Sequence, residues 1–440
     1  MKNKQSSGTQ SSKKYCILLL TNRDSDNVGD QVIEACDIAL LKTAMKNLSL
    51  AETEYEIISR AASIVSKKYV KTQDKALLQT LERLVKRADM IVFGGAPLFN
   101  YQYQIFYERT AVTLEMAQKY QKPVIFSAIG IEEYDENNSK CQRLKKTLNF
   151  DCVKQITTRD GIEELKKYKA NDTMVTELVS DPAVFTANVF RKFIVNKKKE
   201  KKMVGIFVLR DNGFVDSKIN FTKENAAKLW KDLIREFEQK GYDYTLLTSG
   251  HFRDEAFLDY MIREHGIREQ KCVFNMNAPE KLIKKISSFD AVVSCRLHPS
   301  IISFSLDVPS VGLVWNPKVS RFYECIGYPE RRIHVDGVQA KDIVAKVEES
   351  IAQGIKKEED YLITVYQYLL SGIQGALGLD KEIQPYSYEK LVQAIPAYPG
   401  TNKKEQEKKL KRKFRRIYSV LNEPATEKPH HFMDWFRLKR

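Results

Sequence analysis

No apolar run in the 440-residue sequence approaches the ~20 residues that a membrane-spanning helix requires; Cys16-Ile17-Leu18-Leu19-Leu20 is typical of their length. The opening stretch, Met1 to Lys14, is polar and lacks the apolar core of a signal peptide, so the chain is expected to stay in the cytoplasm. Cysteine is sparse and scattered: Cys16, Cys36, Cys141, Cys152, Cys272, Cys295 and Cys325 are odd in number and form no CxxC pair. That excludes a disulfide framework and a cysteine-based zinc site, and predicts reduced, mostly buried thiols. Neither GxGxxG nor a Walker A motif occurs, so the best-known phosphate-cradling loops are missing. No His, Cys and carboxylate cluster has metal-ligand spacing, and neither a metal nor another cofactor is expected. Apart from lysine runs there is no repeat and no low-complexity tract.

What is present is the profile of a soluble globular protein: 43% hydrophobic and 29% charged residues, in a chain long enough for two domains plus extras. The net charge is +15, and much of the excess is local. One cluster is Lys197-Lys198-Lys199-Glu200-Lys201-Lys202. Another, KKEQEKKLKRKFRR from Lys403 to Arg416, carries nine basic residues against two glutamates. Such segments suit nucleic acid, anionic lipid or an acidic polymer, or else form a solvated helix and tail. The second run contains a single aromatic residue, Phe414, and no RNA- or DNA-binding motif, so nucleic acid is not expected.

Short β-rich runs alternate with amphipathic helical patterns in two series, which predicts an α/β protein with two doubly wound, Rossmann-like sheets. In the first series strands are expected near 15–21, 54–59, 90–93, 123–129, 153–157 and 174–179, with a helix at 32–48 after the first. The second series begins with a strand at 203–209 and ends with one at 310–314. The expected division is a polar tail (1–14), a first domain (15–196), a second domain (203–338), C-terminal helices (339–397) and a basic, partly irregular tail (398–440) in which Trp435-Phe436 offers an anchor. Ligands of such sheets bind beyond the carboxyl ends of the strands, so residues at those ends are the candidates for chemistry.

Four groups lie there. Asn27-Val28-Gly29-Asp30 opens the first helix, where free N–H groups and a glycine allow close approach of a ligand; Asp30 also suits plain helix capping. Gly94-Gly95, followed by Ala96, forms a turn or a ligand cradle after the third strand. Arg210 ends the strand that opens the second domain, where it either grips a carboxylate or phosphate or pairs with Asp211. Arg296-Leu297-His298 joins a buried strand to a buried helix, with Lys318 beyond it. An unpaired charge buried there costs several kcal/mol, roughly, so an anion is expected beside Arg296: a ligand, or a carboxylate such as Asp290. Cys295 reads as a buried packing residue in preference to a nucleophile.

The set Asn27-Gly29-Asp30, Gly94-Gly95, Arg210, Ser294-Arg296-His298 and Lys318 resembles the polysaccharide pyruvyl transferases in order and spacing across about residues 15–330. Ala96 departs from a third glycine common in that family, and the basic C-terminal segment lies outside its core. The resemblance implies a GT-B-like fold with a cleft between two Rossmann-like domains. It implies transfer of the enolpyruvyl unit of phosphoenolpyruvate to a sugar, with phosphate released and a pyruvate ketal usually formed. Arg210, Arg296, Leu297 and His298 are implied to bind phosphoenolpyruvate, with Lys318 beside them. Asn27, Gly29, Asp30, Gly94 and Gly95 are expected on the acceptor side. His298 is the expected general acid or phosphate donor, and Asp30 the expected general base. The implied acceptor is a glycan or lipid-linked oligosaccharide at the inner face of a bacterial membrane, which 403–416 suits by charge. Two other readings fit the residues: a nucleotide-sugar glycosyltransferase on the same architecture, and a non-catalytic polyanion-binding protein.

Overall fold

The structure, a computed structural model, describes residues 14–102, 104–170, 174–195, 201–209, 222–379 and 383–422. Arg210, most of the 197–202 lysine cluster and Trp435-Phe436 therefore lie outside the described residues.

Two six-stranded parallel sheets form the frame. The first contains β1 (Tyr15–Thr21), β2 (Tyr55–Ala61), β3 (Met90–Gly94), β4 (Val124–Ile129), β5 (Val153–Thr158) and β6 (Val175–Leu178), ordered β2-β1-β3-β4-β5-β6. The second contains β7 (Met203–Phe207), β8 (Asp243–Leu247), β9 (Cys272–Val273), β10 (Ala291–Ser294), β11 (Ser310–Val314) and β12 (Arg332–His334), ordered β12-β11-β10-β7-β8-β9. The central strands are continuous apolar runs because helices cover both of their faces. Each sheet reverses its strand order once: between β1 and β3 in the first, with Leu20 opposite Phe93, and between β7 and β10 in the second, with Phe207 opposite Ser294. The first switch point sets Gly94-Gly95 against Ile33 and Asp37 of the first helix, and the second sets Arg296-Leu297-His298 after a strand that pairs with β7.

The helices that place the site are α1 (Val28–Asn47), α2 (Gln79–Arg87), α3 (Phe252–His265), α4 (Pro279–Ile286), α5 (Leu297–Ser305), α6 (Pro317–Cys325), α7 (Thr364–Leu377) and α8 (Lys403–Asn422). α1 is buried almost all round, as expected of a helix with apolar and small residues on every face. It lies between its own sheet and the second domain, and one continuous apolar core runs from Ile17 and Leu40 through Ile283 and Phe289 to Ile301 and Phe304. The two domains are thus packed together through α1, α4 and α5.

The chain then returns to the first domain. In α7, the Tyr368 carbonyl accepts from Gln155 Nε2 (2.8 Å) and Thr364 Oγ1 accepts from the Ser180 N–H (3.0 Å). Residues 403–422 form α8, and in place of the solvated helix that composition offered as one reading it is docked against both domains. Its inward side makes the difference, because Lys413 is buried and bonded to Glu255 Oε2 (2.6 Å), the Gly250 carbonyl (3.0 Å) and Asn277 Oδ1 (3.2 Å).

Candidate active site at the domain seam

The first helix starts earlier than expected, at Val28. Asn27, not Asp30, is its N-cap, and Asn27 Oδ1 accepts from the Gly29 N–H at 3.1 Å. The reason is the preceding loop: the Val28 N–H is taken by the Ser249 carbonyl of the second domain (2.7 Å), which fixes the helix entry. Asp30 falls inside the first turn, buried. Its carboxyl is pushed up to about 6 by burial, against the opposing pull of hydrogen bonds from Ser25 and the charge of Arg159.

The N-terminus of α5 faces that of α1 across the seam. A Cβ added at Gly29 would lie 2.3 Å from His298 Cβ, so glycine is what lets the imidazole rest on α1. Asn27 Nδ2 and His298 Nδ1 lie 3.1 Å apart. Asn27 Oδ1 is already an acceptor for Gly29, so its amide nitrogen donates to Nδ1 and leaves the ring proton on Nε2. His298 is buried, and its pKa is held well below the ordinary imidazole value by burial first, then by Arg159, Arg296 and Lys318. The imidazole is neutral at pH 7, and an anion beside it would push its pKa back up.

Each of the three cations is anchored by a carboxylate on a different element. Arg296 donates through Nε (2.9 Å) and Nη2 (2.6 Å) to Asp254 of α3, a fully buried residue. The carboxylate expected from sequence was Asp290, but that side chain accepts from the Met203 N–H (2.7 Å) at the opposite end of the strand. Only one edge of the Arg296 guanidinium is occupied, and Nη1 has no hydrogen bond among the described residues. Lys318, in the first turn of α6, reaches over to the first domain, 3.5 Å from Asp160 Oδ2, which also accepts from the Ile131 N–H (2.9 Å). Leu297 is half-buried and packs against the shared core, leaving its backbone as its contribution to the turn.

Arg159 was not among the residues singled out from sequence. It follows β5, is buried, and forms an ion pair with Asp181, while its Nε has no hydrogen-bond partner among the described residues. Its charge acts on both Asp30 and His298. The signal is in Thr157-Thr158-Arg159-Asp160, an arginine directly after a strand, which in sequence alone is indistinguishable from a solvated loop charge.

The glycine pair is placed differently from the rest. A Cβ on Gly94 would fall 2.4 Å from Asp37 Oδ2, and one on Gly95, whose φ is +34°, 2.1 Å from Ile33 Cγ2. Both glycines therefore let α1 pack against the end of β3, whereas Ala96 is buried in the separate apolar cluster with Leu98 and Phe99. Cys295 is fully buried, its thiol pKa raised well above the ordinary range by burial, which disfavours the thiolate a nucleophile needs. Among the described residues no group of three or more His, Cys, Asp or Glu side chains is placed to hold a metal ion.

The seam thus brings together Asn27, Gly29, Asp30, Arg159, Arg296, His298 and Lys318. The combination is a neutral imidazole with a free N–H, a guanidinium with a free edge and a carboxyl titrating near 6, at two helix N-termini. It suits an anion bound next to a proton-transfer centre.

A family model described as "Polysaccharide pyruvyl transferase" matches residues 17–317. No curated protein matches the chain. Among solved structures, a putative UDP-N-acetylglucosamine 2-epimerase from Listeria monocytogenes aligns with a TM-score of 0.54 at 10% identity, covering 85% of this chain and 100% of its own. The UDP-GlcNAc 2-epimerase from Methanocaldococcus jannaschii aligns at 0.51 with 14% identity, covering 81% and 98%. A further UDP-N-acetylglucosamine 2-epimerase aligns at 0.53 with 12% identity, covering 86% and 99%. At these identities the likeness is one of fold, and it is the GT-B arrangement of two doubly wound domains.

Proposed function

The chain belongs to the polysaccharide pyruvyl transferase family and is a transferase, and on that premise we propose that it moves the pyruvyl group of phosphoenolpyruvate to a sugar of a cell-surface glycan precursor. The observation that carries the reading is the pairing of Arg296, held from behind by Asp254 with Nη1 unbonded among the described residues, and buried His298, whose Nδ1 lies against Asn27 Nδ2.

Phosphoenolpyruvate brings a carboxylate and a phosphate on one small frame, so more than one cation is needed to hold it. Arg296 and Lys318 take its anionic groups from the second domain, and Arg210, at the end of the neighbouring strand in sequence, completes the clamp. Protonation of the methylene carbon makes the methyl group and leaves the central carbon oxocarbenium-like. A sugar hydroxyl adds to that carbon and gives up its proton to Asp30. The C–O bond to phosphate then breaks, phosphate leaves with the electron pair, and a second hydroxyl adds to the oxocarbenium carbon so formed, its proton passing to the released phosphate, to close the ketal. With the anion bound His298 takes up a second proton, and the imidazolium then gives its Nε2 proton to the reacting donor, at the methylene carbon or at the departing phosphate, and returns to the neutral ring. The bound anion brings that protonation about by raising the imidazole pKa, which burial first and then the three cations depress.

The acceptor reading has two supports: the α1 side of the seam, and a basic outer face on α8. Lys404, Lys408, Lys411 and Arg415 are exposed and recur at helical spacing, facing away from the contacts made by Lys409 and Lys413. That stripe suits an anionic membrane surface carrying a lipid-linked oligosaccharide. Among the described residues no helix is long and apolar enough to cross a membrane. The test is thermal stabilisation followed by turnover: phosphoenolpyruvate should raise Tm and release phosphate when a glycan acceptor is added, and UDP- or GDP-sugars should do neither. Stabilisation by a nucleotide sugar alone would favour a glycosyltransferase instead.

A further inference from the structure

The first domain has a second feature built for anions, away from His298. An open pocket of about 590 Å³ lies at the free edge of the first sheet, between β2, α2, the loop after β1 and α8. Four of its nine lining residues are arginines: Arg23, Arg60, Arg83 and Arg87. Among the described residues the only carboxylate lining it is Glu405, contributed by α8. Two of the guanidiniums are satisfied from outside the pocket. Arg87 pairs with Glu56, and Arg23 Nε with Glu34 Oε1 at 3.0 Å. Arg23 Nη1 also donates to the Ser59 carbonyl (3.0 Å), which Arg60 Nη1 shares (2.8 Å). Neither Arg60 nor Arg83 contacts a carboxylate among the described residues, so the pocket holds about two positive charges without partners.

Glu405 is the one anion inside, and it is held weakly. It pairs with Arg23 from the first turns of α8, yet its side chain is 49% exposed. The same neighbourhood carries Lys409, whose pKa is lowered by burial and further opposed by Arg23 and Arg412 although Glu34 and Glu405 favour its charge. Planar guanidiniums set around one concave space match phosphate oxygens in pairs, and a carboxylate on a surface helix is readily exchanged for a stronger anion. The volume exceeds a single phosphate and falls within the range of ordinary ligand sites.

We infer that this pocket is a second anion site, for a ligand bearing a diphosphate or comparable multiply charged phosphate group, and that the ligand takes Arg23 from Glu405. Occupancy then loosens the grip of α8 on the first domain, since the Arg23–Glu405 pair is one of its links there, alongside Lys409 to Gln31 Oε1 (3.1 Å). The site is independent of phosphoenolpyruvate as donor and stands or falls without it.

Calorimetric titration of inorganic pyrophosphate into the full chain tests the inference. Arg60→Ala/Arg83→Ala should weaken binding about tenfold or more with Tm unchanged, because both side chains are exposed. His298→Ala/Lys318→Ala, which disrupts the seam, should leave this binding in place. Glu405→Gln should tighten it about threefold or more by removing the competitor. Farnesyl diphosphate titrated in parallel separates a lipid-borne phosphate from a free one, and binding of either supports the site. Absence of binding, loss only in the seam variant, or an affinity unmoved by Arg60→Ala/Arg83→Ala would overturn it; an unchanged affinity in Glu405→Gln would overturn the exchange with α8.

Discussion

At Asp30 burial and charge act in opposite directions, and burial wins. The carboxyl is pushed up to about 6 despite Arg159 and two hydrogen-bonding neighbours. A group with that value is mostly ionised at pH 7 and basic enough to accept a hydroxyl proton. If Asp30 is the base, kcat/KM rises with pH through about 6 and levels off above it; Asp30→Asn should remove that inflection and cost ~10²-fold or more in rate. Stability runs the other way. Because the folded pKa lies above the ordinary carboxylate value of 3.8, the unfolded chain releases this proton first, and the fold loses stability as pH rises from about 4 through 6. Asp30→Asn should therefore flatten the Tm–pH curve over that window, as measured by calorimetry. A profile identical to wild type in both assays would remove Asp30 from the mechanism.

At the scale of elements, the site exists because two helix starts meet. Gly29 is the contact point, and Gly29→Ala would push a methyl group to within 2.3 Å of His298 Cβ. The expected cost is ~1–3 kcal/mol of overpacking, read as a fall in Tm, together with loss of turnover as His298 leaves Asn27. Full activity at unchanged Tm would show that the seam yields more easily than its packing implies. The strand ends that carry these groups were legible in sequence: the change from apolar strand to apolar helix around Arg296-Leu297-His298 marks a candidate site whatever its partner. The partner was not legible, because Asp254 comes from α3, which follows β8, and what brings it to Arg296 is strand order and not local pattern. Arg159 was missed for a related reason. A strand-end arginine looks like surface until the other domain is known to cover it. The start of α1 was misjudged by four residues because its first turn is fixed from outside, by the Ser249 carbonyl.

For the whole molecule, α8 was the least legible part. Nine basic residues in fourteen read as a solvated helix and tail or as a polyanion contact, and what docks the helix is Lys413 in a prepared polar niche formed by Glu255, Asn277 and the Gly250 carbonyl. The two-domain frame could be read from alternation alone, whereas the continuous core between the domains and the return of α7 to the first sheet could not. Because α8 presents a basic outer stripe, removing residues after 402 should reduce binding to vesicles rich in anionic lipid, at about 1 kcal/mol per lost contact, without abolishing binding to neutral ones. Sedimentation with the two vesicle types measures this, and equal binding by the truncated chain would exclude α8 as the contact.

The central claim is that the seam takes phosphoenolpyruvate beside a histidine that the empty site keeps neutral. Titration calorimetry of phosphoenolpyruvate at pH 7, in buffers of different ionisation enthalpy, counts the protons bound along with the ligand. The account predicts binding with net proton uptake, because the ligand's charge raises the depressed His298 pKa, and loss of that uptake in His298→Ala. Failure of phosphoenolpyruvate to bind, or the same proton count with and without His298, would contradict it.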